Sequence, residues 1–165
     1  MWSEVQDSEG RSDRSSINLD DQVRVFIMEE LDLADVVARG RELFCPTATD
    51  AQLAEAEFDY RRFLWVHRQY PDADLTPSEA VDMIWHAHIL FTRRYFDDCE
   101  HMFGHYLHHT PGKGSGISKA EFKRRFRATK DLYEREFGER PRGNLDLCGG
   151  GRCPSDCSSG SCSCS

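Results

Sequence analysis

The sequence contains no long hydrophobic run. None of its apolar stretches approaches the roughly 20 residues that a membrane-spanning helix requires, so it predicts no membrane partner. Residues 1–16 are polar and acidic, and they lack the basic-then-apolar layout of a secretory signal. We therefore expect a cytoplasmic protein with a disordered N-terminus over residues 1–16.

Positive charge is in the minority, because 21 Lys and Arg residues stand against 29 Asp and Glu residues, for a formal net charge of -8. This balance argues against nucleic acid as a partner. We interpret the basic cluster between Lys123 and Arg127 as the solvated face of a helix. Cysteine is also scarce through most of the chain, since only Cys45 and Cys99 precede residue 148. The odd total of seven argues against a closed disulfide framework.

Strand-like alternation and long-period repeats are missing too, whereas signals for helix starts are frequent. The predicted first helical residues or N-caps are Asn18, Thr49, Thr76 and Ser118. The predicted fold class is all-α, an irregular bundle of four to five helices over residues 17–138. Residues 139–165 are predicted to follow as a flexible, disordered Cys/Gly/Ser-rich tail.

The central segment, residues 76–111, holds six of the seven histidines. Thr76 with Glu79 forms a Thr-x-x-Glu capping box, and apolar positions then recur at steps of four and three through Tyr95 toward Phe103. This pattern predicts one helix with an aromatic stripe on its buried face.

Helical geometry restricts how the histidines of this segment can combine. Asp82 and His86 are four residues apart and share a face, whereas His86 and His88 point about 200° apart around a regular helix. These two histidines therefore cannot bind one ion on a straight helix. A mononuclear site requires either a bend after about Thr92 or a return of residues 105–109 onto the helix.

Histidine nitrogen and cysteine thiolate are the ligands that Zn(II) and Cu(I) use in proteins, which makes a His/Cys cluster a candidate metal site. The predicted metal ligands in the helical domain are His86, His88, Cys99, His105, His108 and His109. The alternative interpretation is structural: His88 as a hydrogen-bonded core residue, and Asp82 as the residue that orients His86. A nucleophilic Cys99 is a third alternative, although no oxyanion hole can be identified for it.

One pattern in this segment reads Asp82-x-x-Trp85-His86-Ala87-His88, then Tyr95, Asp98-Cys99 and Gly104. This pattern resembles the signature of the glycine-rich domain-containing protein-like family, over roughly Asp20 to Pro111. Bacterial members are similar to this chain in being short and in often ending in Cys/Gly-rich tails. The resemblance supplies no reaction, but it implies that the important residues are Trp85, His86, His88, Tyr95, Cys99 and Gly104.

The C-terminal tail carries five cysteines with the spacing C-x4-C-x3-C-x4-C-x-C. The Gly and Ser residues between the thiols let the backbone turn tightly around a soft ion. The spacing lacks the paired C-x2-C of a zinc ribbon, so the tail is instead typical of a metallothionein-like chelator. The predicted tail ligands are Cys148, Cys153, Cys157, Cys162 and Cys164.

These features favour a metal-binding protein, more a carrier than an enzyme, that handles or delivers Zn(II) or Cu(I) through its His/Cys cluster and thiol-rich tail. The alternative is a non-catalytic precursor or interaction module whose Cys/Ser-rich tail is modified by a partner enzyme. A third interpretation leaves the tail as a solvated linker. An enzyme would instead require an enclosed pocket lined by His86, Cys99 and His109. The predicted partners are thus a metal ion and a protein that docks on the domain or modifies the tail.

Overall fold

The computed structural model of the chain describes residues 18–110 and 116–141. The predicted disorder of residues 1–16 lies outside the described residues. So does the predicted metal-binding or modified tail, except for its first three residues, 139–141. All five tail cysteines are among the residues outside that range.

Six α-helices and one π-helical turn make up 72% of the described residues, and no strand occurs among them. The elements are α1 (Leu19–Val25, continued by the π-helical turn Phe26–Glu30), α2 (Ala34–Phe44), α3 (Asp50–Gln69), α4 (Glu79–Leu90), α5 (Thr92–Phe103) and α6 (Lys119–Phe137). The all-α prediction is confirmed. No helix in this part of the chain is both long and apolar enough to cross a bilayer.

Side-chain caps define most of the helix starts. Asn18 caps α1, and Thr49 caps α3 in a complete capping box with Gln52. Ser118 caps α6 by accepting a hydrogen bond from the Glu121 backbone N–H. These three starts agree with the sequence prediction, because a cap depends only on residues within one helical turn.

The start of α4 differs from the prediction. Ser78, rather than Thr76, is the N-cap, and its side chain accepts a hydrogen bond from the Val81 backbone N–H. The backbone N–H of Thr76 donates instead to Oγ1 of Thr129 in α6 at 2.9 Å. A contact between distant segments therefore takes Thr76 out of the helix, and α4 begins at Glu79.

The predicted continuous helix through Tyr95 is also interrupted. Phe91, at φ -85° and ψ 61°, ends α4 and precedes α5. Its N–H donates to the His88 carbonyl at 3.0 Å, and its own carbonyl accepts from the Tyr95 N–H to begin the next helix. This break lies near the predicted bend at Thr92, which is one of the two alternatives that the sequence allows for a single-ion site.

The long helix α3 packs against the π-helical turn, α2, α4 and α6. Arg61 in α3 donates to the carbonyls of Ile27 and Leu31, which holds the end of the π-helical turn against α3. Tyr133 in α6 donates to the Asp59 carbonyl of α3 at 2.9 Å. The helix α4 packs against both α2 and α3. The segment that follows α5 contacts α4 through His109, which lies against Asp82 and Trp85.

Candidate metal centre

Two of the candidate ligands lie one turn apart on α4. The ring Nδ1 of His86 is 2.7 Å from the backbone carbonyl of Asp82 and 3.4 Å from its carboxylate Oδ2. If Nδ1 carries the hydrogen, it donates to that carbonyl and Nε2 keeps the lone pair with which imidazole binds a metal. Both side chains are a little over one third exposed, at 38% for His86 and 39% for Asp82.

The third residue, His109, comes from the segment that follows α5. Its ring Nε2 lies 2.7 Å from Oδ1 of Asp82, and its ring centroid lies 4.4 Å from that of His86. Its side chain is only 7% exposed. Residues 105–109 therefore return onto α4, which is the second of the two alternatives that the sequence allows for a single-ion site.

One ligand atom from each of Asp82, His86 and His109 lies within 4.8 Å of the other two. A zinc ion with bonds of about 2.0–2.2 Å to nitrogen and oxygen separates its ligand atoms by roughly 3.3 Å, so small side-chain rotations suffice. Two imidazoles and one carboxylate supply three of the four ligands that tetrahedral zinc uses. Within the described residues this is the group that fits a metal ion.

His88, two residues after His86, lies in a different environment. Its side chain is 0% exposed, its Nδ1 lies 2.9 Å from the Tyr60 hydroxyl, and its Nε2 lies 3.0 Å from the carboxylate of Asp98. Both ring nitrogens are thus hydrogen-bonded within the core. This arrangement matches the structural interpretation of His88, and its assignment as a metal ligand stays a prediction.

Cys99 is also separate from the group formed by Asp82, His86 and His109. It is a free thiol with 0% exposure. Burial raises the pKa of this thiol, while hydrogen bonds to the Leu107 backbone and to Tyr95 act in the opposite direction. A buried thiol of raised pKa is a poor nucleophile, because that role needs the thiolate, and the assignment of Cys99 as a metal ligand stays a prediction.

The other predicted histidines do not join the three-residue group. The Nδ1 of His105 lies 3.1 Å from the Phe103 carbonyl on an exposed stretch. The ring of His108 packs against Tyr106, with ring centroids 4.9 Å apart. Their roles as ligands therefore remain predictions without support from this geometry.

Asp82 is the residue that the predicted ligand set left out. The sequence signal for it is its i, i+4 pairing with His86, which allows either a local pair of metal ligands or a carboxylate that orients His86. The structure places its carboxylate next to both histidines, so Asp82 belongs among the candidate ligands.

His67 in α3 has one ring nitrogen, the buried Nε2, that forms no hydrogen bond in the part of the chain that the structure describes. The ring packs edge-on against Phe63 and Trp85, at centroid distances of 4.7 Å and 5.8 Å. Burial lowers its pKa to about 4, so this histidine is neutral at pH 7.

A family model described as UCP032817-like matches residues 17–131, which span α1 to most of α6. That description names no activity. No curated protein and no solved structure matches the chain.

Proposed function

The chain belongs to the UCP032817-like family, and from the geometry of its own residues we propose that it binds a divalent transition-metal ion through Asp82, His86 and His109. One observation carries this proposal: a ligand atom from each of these residues lies within 4.8 Å of the other two. The proposal narrows the predicted His/Cys cluster to two of its histidines and adds a carboxylate.

The donor set favours particular metals. Imidazole and carboxylate suit Zn(II) and similar divalent ions, whereas Cu(I) prefers thiolate and thioether sulfur. No sulfur ligand belongs to the group in the described part of the chain. Zn(II) is therefore the ion that we assign to this site, and a role for Cu(I) would depend on the tail cysteines.

The exposure of the ligands supports handling rather than permanent storage. Structural zinc sites enclose the ion with four protein ligands, whereas sites that exchange a ligand leave one position open. Here three ligands are present, and Asp82 and His86 remain partly exposed while His109 is almost covered. An ion bound on this edge of α4 would have one side facing an incoming donor, which fits uptake and delivery.

We propose two alternative roles for the tail cysteines. The five tail cysteines would capture a soft metal and pass it to the domain, or they would be the substrate of a modifying enzyme. The intact mass of protein from its native host separates these two, because mass changes confined to the tail would favour modification. The resemblance to the glycine-rich domain-containing protein-like family likewise stays a prediction.

Zinc titration of a full-length chain tests the site. The five tail cysteines are first replaced by serine, so that any zinc bound belongs to the domain. We expect one zinc per chain in competition with a moderate chelator. We expect Asp82→Asn and His109→Ala to weaken binding by about 100-fold, since each removes one of three ligands.

The matched control is His105→Ala, which removes an exposed histidine of the same segment that lies outside the group. We expect this variant to bind zinc like its parent. If the parent binds no zinc, or if His105→Ala weakens binding as much as His109→Ala does, the proposed site is wrong.

A further inference from the structure

A chain of two hydrogen bonds connects α4, α5 and the segment that carries His109. The indole Nε1 of Trp85 donates to the hydroxyl of Tyr95 at 2.7 Å, and this hydroxyl donates to the carbonyl of Leu107 at 2.7 Å. Tyr95 is 0% exposed. Burial raises the pKa of Tyr95, so its hydroxyl keeps the proton that it donates to Leu107.

Trp85 also contacts His109, the candidate metal ligand of this segment. The ring of Trp85 meets the ring of His109 edge-on, with centroids 4.3 Å apart and planes at 73°. Trp85 directly precedes His86 in the chain and lies three residues after Asp82. One side chain of α4 therefore holds the returning segment directly at His109 and through Tyr95 at Leu107.

The returning segment needs such anchors because residues 105–110 form neither helix nor strand. The segment starts at Gly104, which adopts a left-handed conformation with φ 73°. A segment of this kind is positioned by its side-chain and backbone contacts rather than by a repeating hydrogen-bond pattern. The position of His109 therefore depends on the contacts that the segment makes with α4 and α5.

We propose that Trp85 and Tyr95 are positioning residues for the metal site: they hold Leu107 so that Nε2 of His109 lies beside the carboxylate of Asp82. This inference rests on the proposed function, and it deepens it by naming the residues that preorganise the ligand. Outer residues that orient metal ligands typically contribute about 10- to 100-fold in metal affinity. We expect Tyr95→Phe, which keeps the ring and removes the hydroxyl, to weaken zinc binding by that factor.

Two tyrosine variants serve as matched controls in the same serine-tail background. Tyr133→Phe removes a buried hydroxyl that donates to the Asp59 carbonyl at the contact between α6 and α3, away from this segment. Tyr106→Phe removes a hydroxyl within the segment itself while keeping its ring against Tyr95, at a centroid distance of 5.2 Å. Both variants should bind zinc like the parent, even where thermal stability falls.

A second measurement needs no metal. In the zinc-free protein, the ring current of Trp85 should shift the NMR signals of the His109 ring protons, because the two ring centroids are 4.3 Å apart. Tyr95→Phe should move these signals toward those of a free histidine and speed amide exchange in residues 105–110 by at least tenfold. Tyr133→Phe should do neither. If Tyr95→Phe does not fold, Trp85→Phe is measured in its place; it removes the first hydrogen bond together with the indole contact to His109, so amide exchange and zinc affinity are its readouts rather than the His109 shifts.

The outcomes separate the two proposals. Absence of zinc binding in the parent would overturn the proposed function, while the NMR and exchange data would still decide whether Tyr95 positions His109. Unchanged His109 signals and unchanged exchange in Tyr95→Phe would overturn the positioning role. Equal loss of zinc affinity in Tyr95→Phe and Tyr133→Phe would overturn it as well, because the effect would then follow from stability alone.

Discussion

Two histidines of α4, only two residues apart, lie in opposite surroundings. His86 is partly exposed and shares its carboxylate neighbour with His109, whereas His88 is fully buried between Tyr60 and Asp98. Each has polar partners, so partners alone do not separate a candidate ligand from a core residue. The difference lies in access: an ion can approach His86, whereas His88 uses both nitrogens to join three helices.

The largest effect that this comparison predicts is on stability. His88→Ala removes a buried ring and leaves the Tyr60 hydroxyl without its partner, while, within the described residues, the Asp98 carboxylate keeps only Arg94, whose Nε lies 4.0 Å away. Cavity formation together with an unpaired buried hydroxyl should lower the free energy of unfolding by about 3–4 kcal/mol. Urea denaturation measures this loss. A stable His88→Ala variant that no longer binds zinc would break the comparison and make His88 a ligand.

The second effect concerns His67, a half-buried histidine whose Nε2 has no hydrogen bond among the described residues. The pKa of His67 is lowered from 6.5 to about 4 in the folded protein, so the unfolded chain takes up its proton first as the pH falls. Above pH 6.5 His67 is neutral in both states, so its lowered pKa does not reduce the free energy of unfolding. Between pH 6.5 and pH 4 the unfolded chain binds the proton and the folded chain does not, so the free energy of unfolding falls. The shift corresponds to a loss of about 3 kcal/mol at most.

His67→Leu removes this titration. Denaturant unfolding at pH 7 and pH 4 should show a smaller loss of stability in the variant than in the parent. An equal loss in both proteins would show that burial does not hold His67 neutral.

The third effect is on affinity rather than on stability. His86→Ala should weaken zinc binding by about 100-fold, equivalent to about 2.7 kcal/mol, while it changes the unfolding free energy of the zinc-free protein by less than about 1 kcal/mol. Chelator competition and urea denaturation of the same preparation measure the two quantities. A large loss of stability in the zinc-free His86→Ala variant would place His86 in the same class as His88.

The smallest effect is expected at the tail. Serine at all five tail cysteines should leave zinc affinity at the Asp82, His86 and His109 site unchanged, because none of its ligands comes from the tail. The total metal content of the reduced chain should fall to one zinc if the tail binds metal as predicted. Loss of that last zinc would show that the tail cysteines supply ligands to this site.

The local parts of this structure were predictable because their causes are local. A cap such as Thr49 or Ser118 is recognisable from a few neighbouring residues. The start of α4 was misassigned because Thr76 has a hydrogen-bond partner 53 residues away in Thr129. No local pattern contains that information.

For the candidate metal site, the sequence predicted which backbone geometries would allow one ion to be bound, but not which residues would bind it. Helical geometry required a bend after about Thr92 or a return of residues 105–109, and the structure shows both. Periodicity could not select His109 over His105 or His108, because this segment has no regular structure. It could not exclude His88 either, since the burial of that histidine depends on Tyr60, 28 residues earlier in the chain.

The short separation between the ligands along the chain has a consequence for the order of assembly. Asp82 and His109 are 27 residues apart, whereas the bond from Tyr133 to Asp59 that attaches α6 to α3 spans 74 residues. Closing the shorter loop costs about 1 kcal/mol less chain entropy. The three candidate ligands can therefore meet before α6 has docked, and an ion bound at that stage would cross-link a partly folded chain.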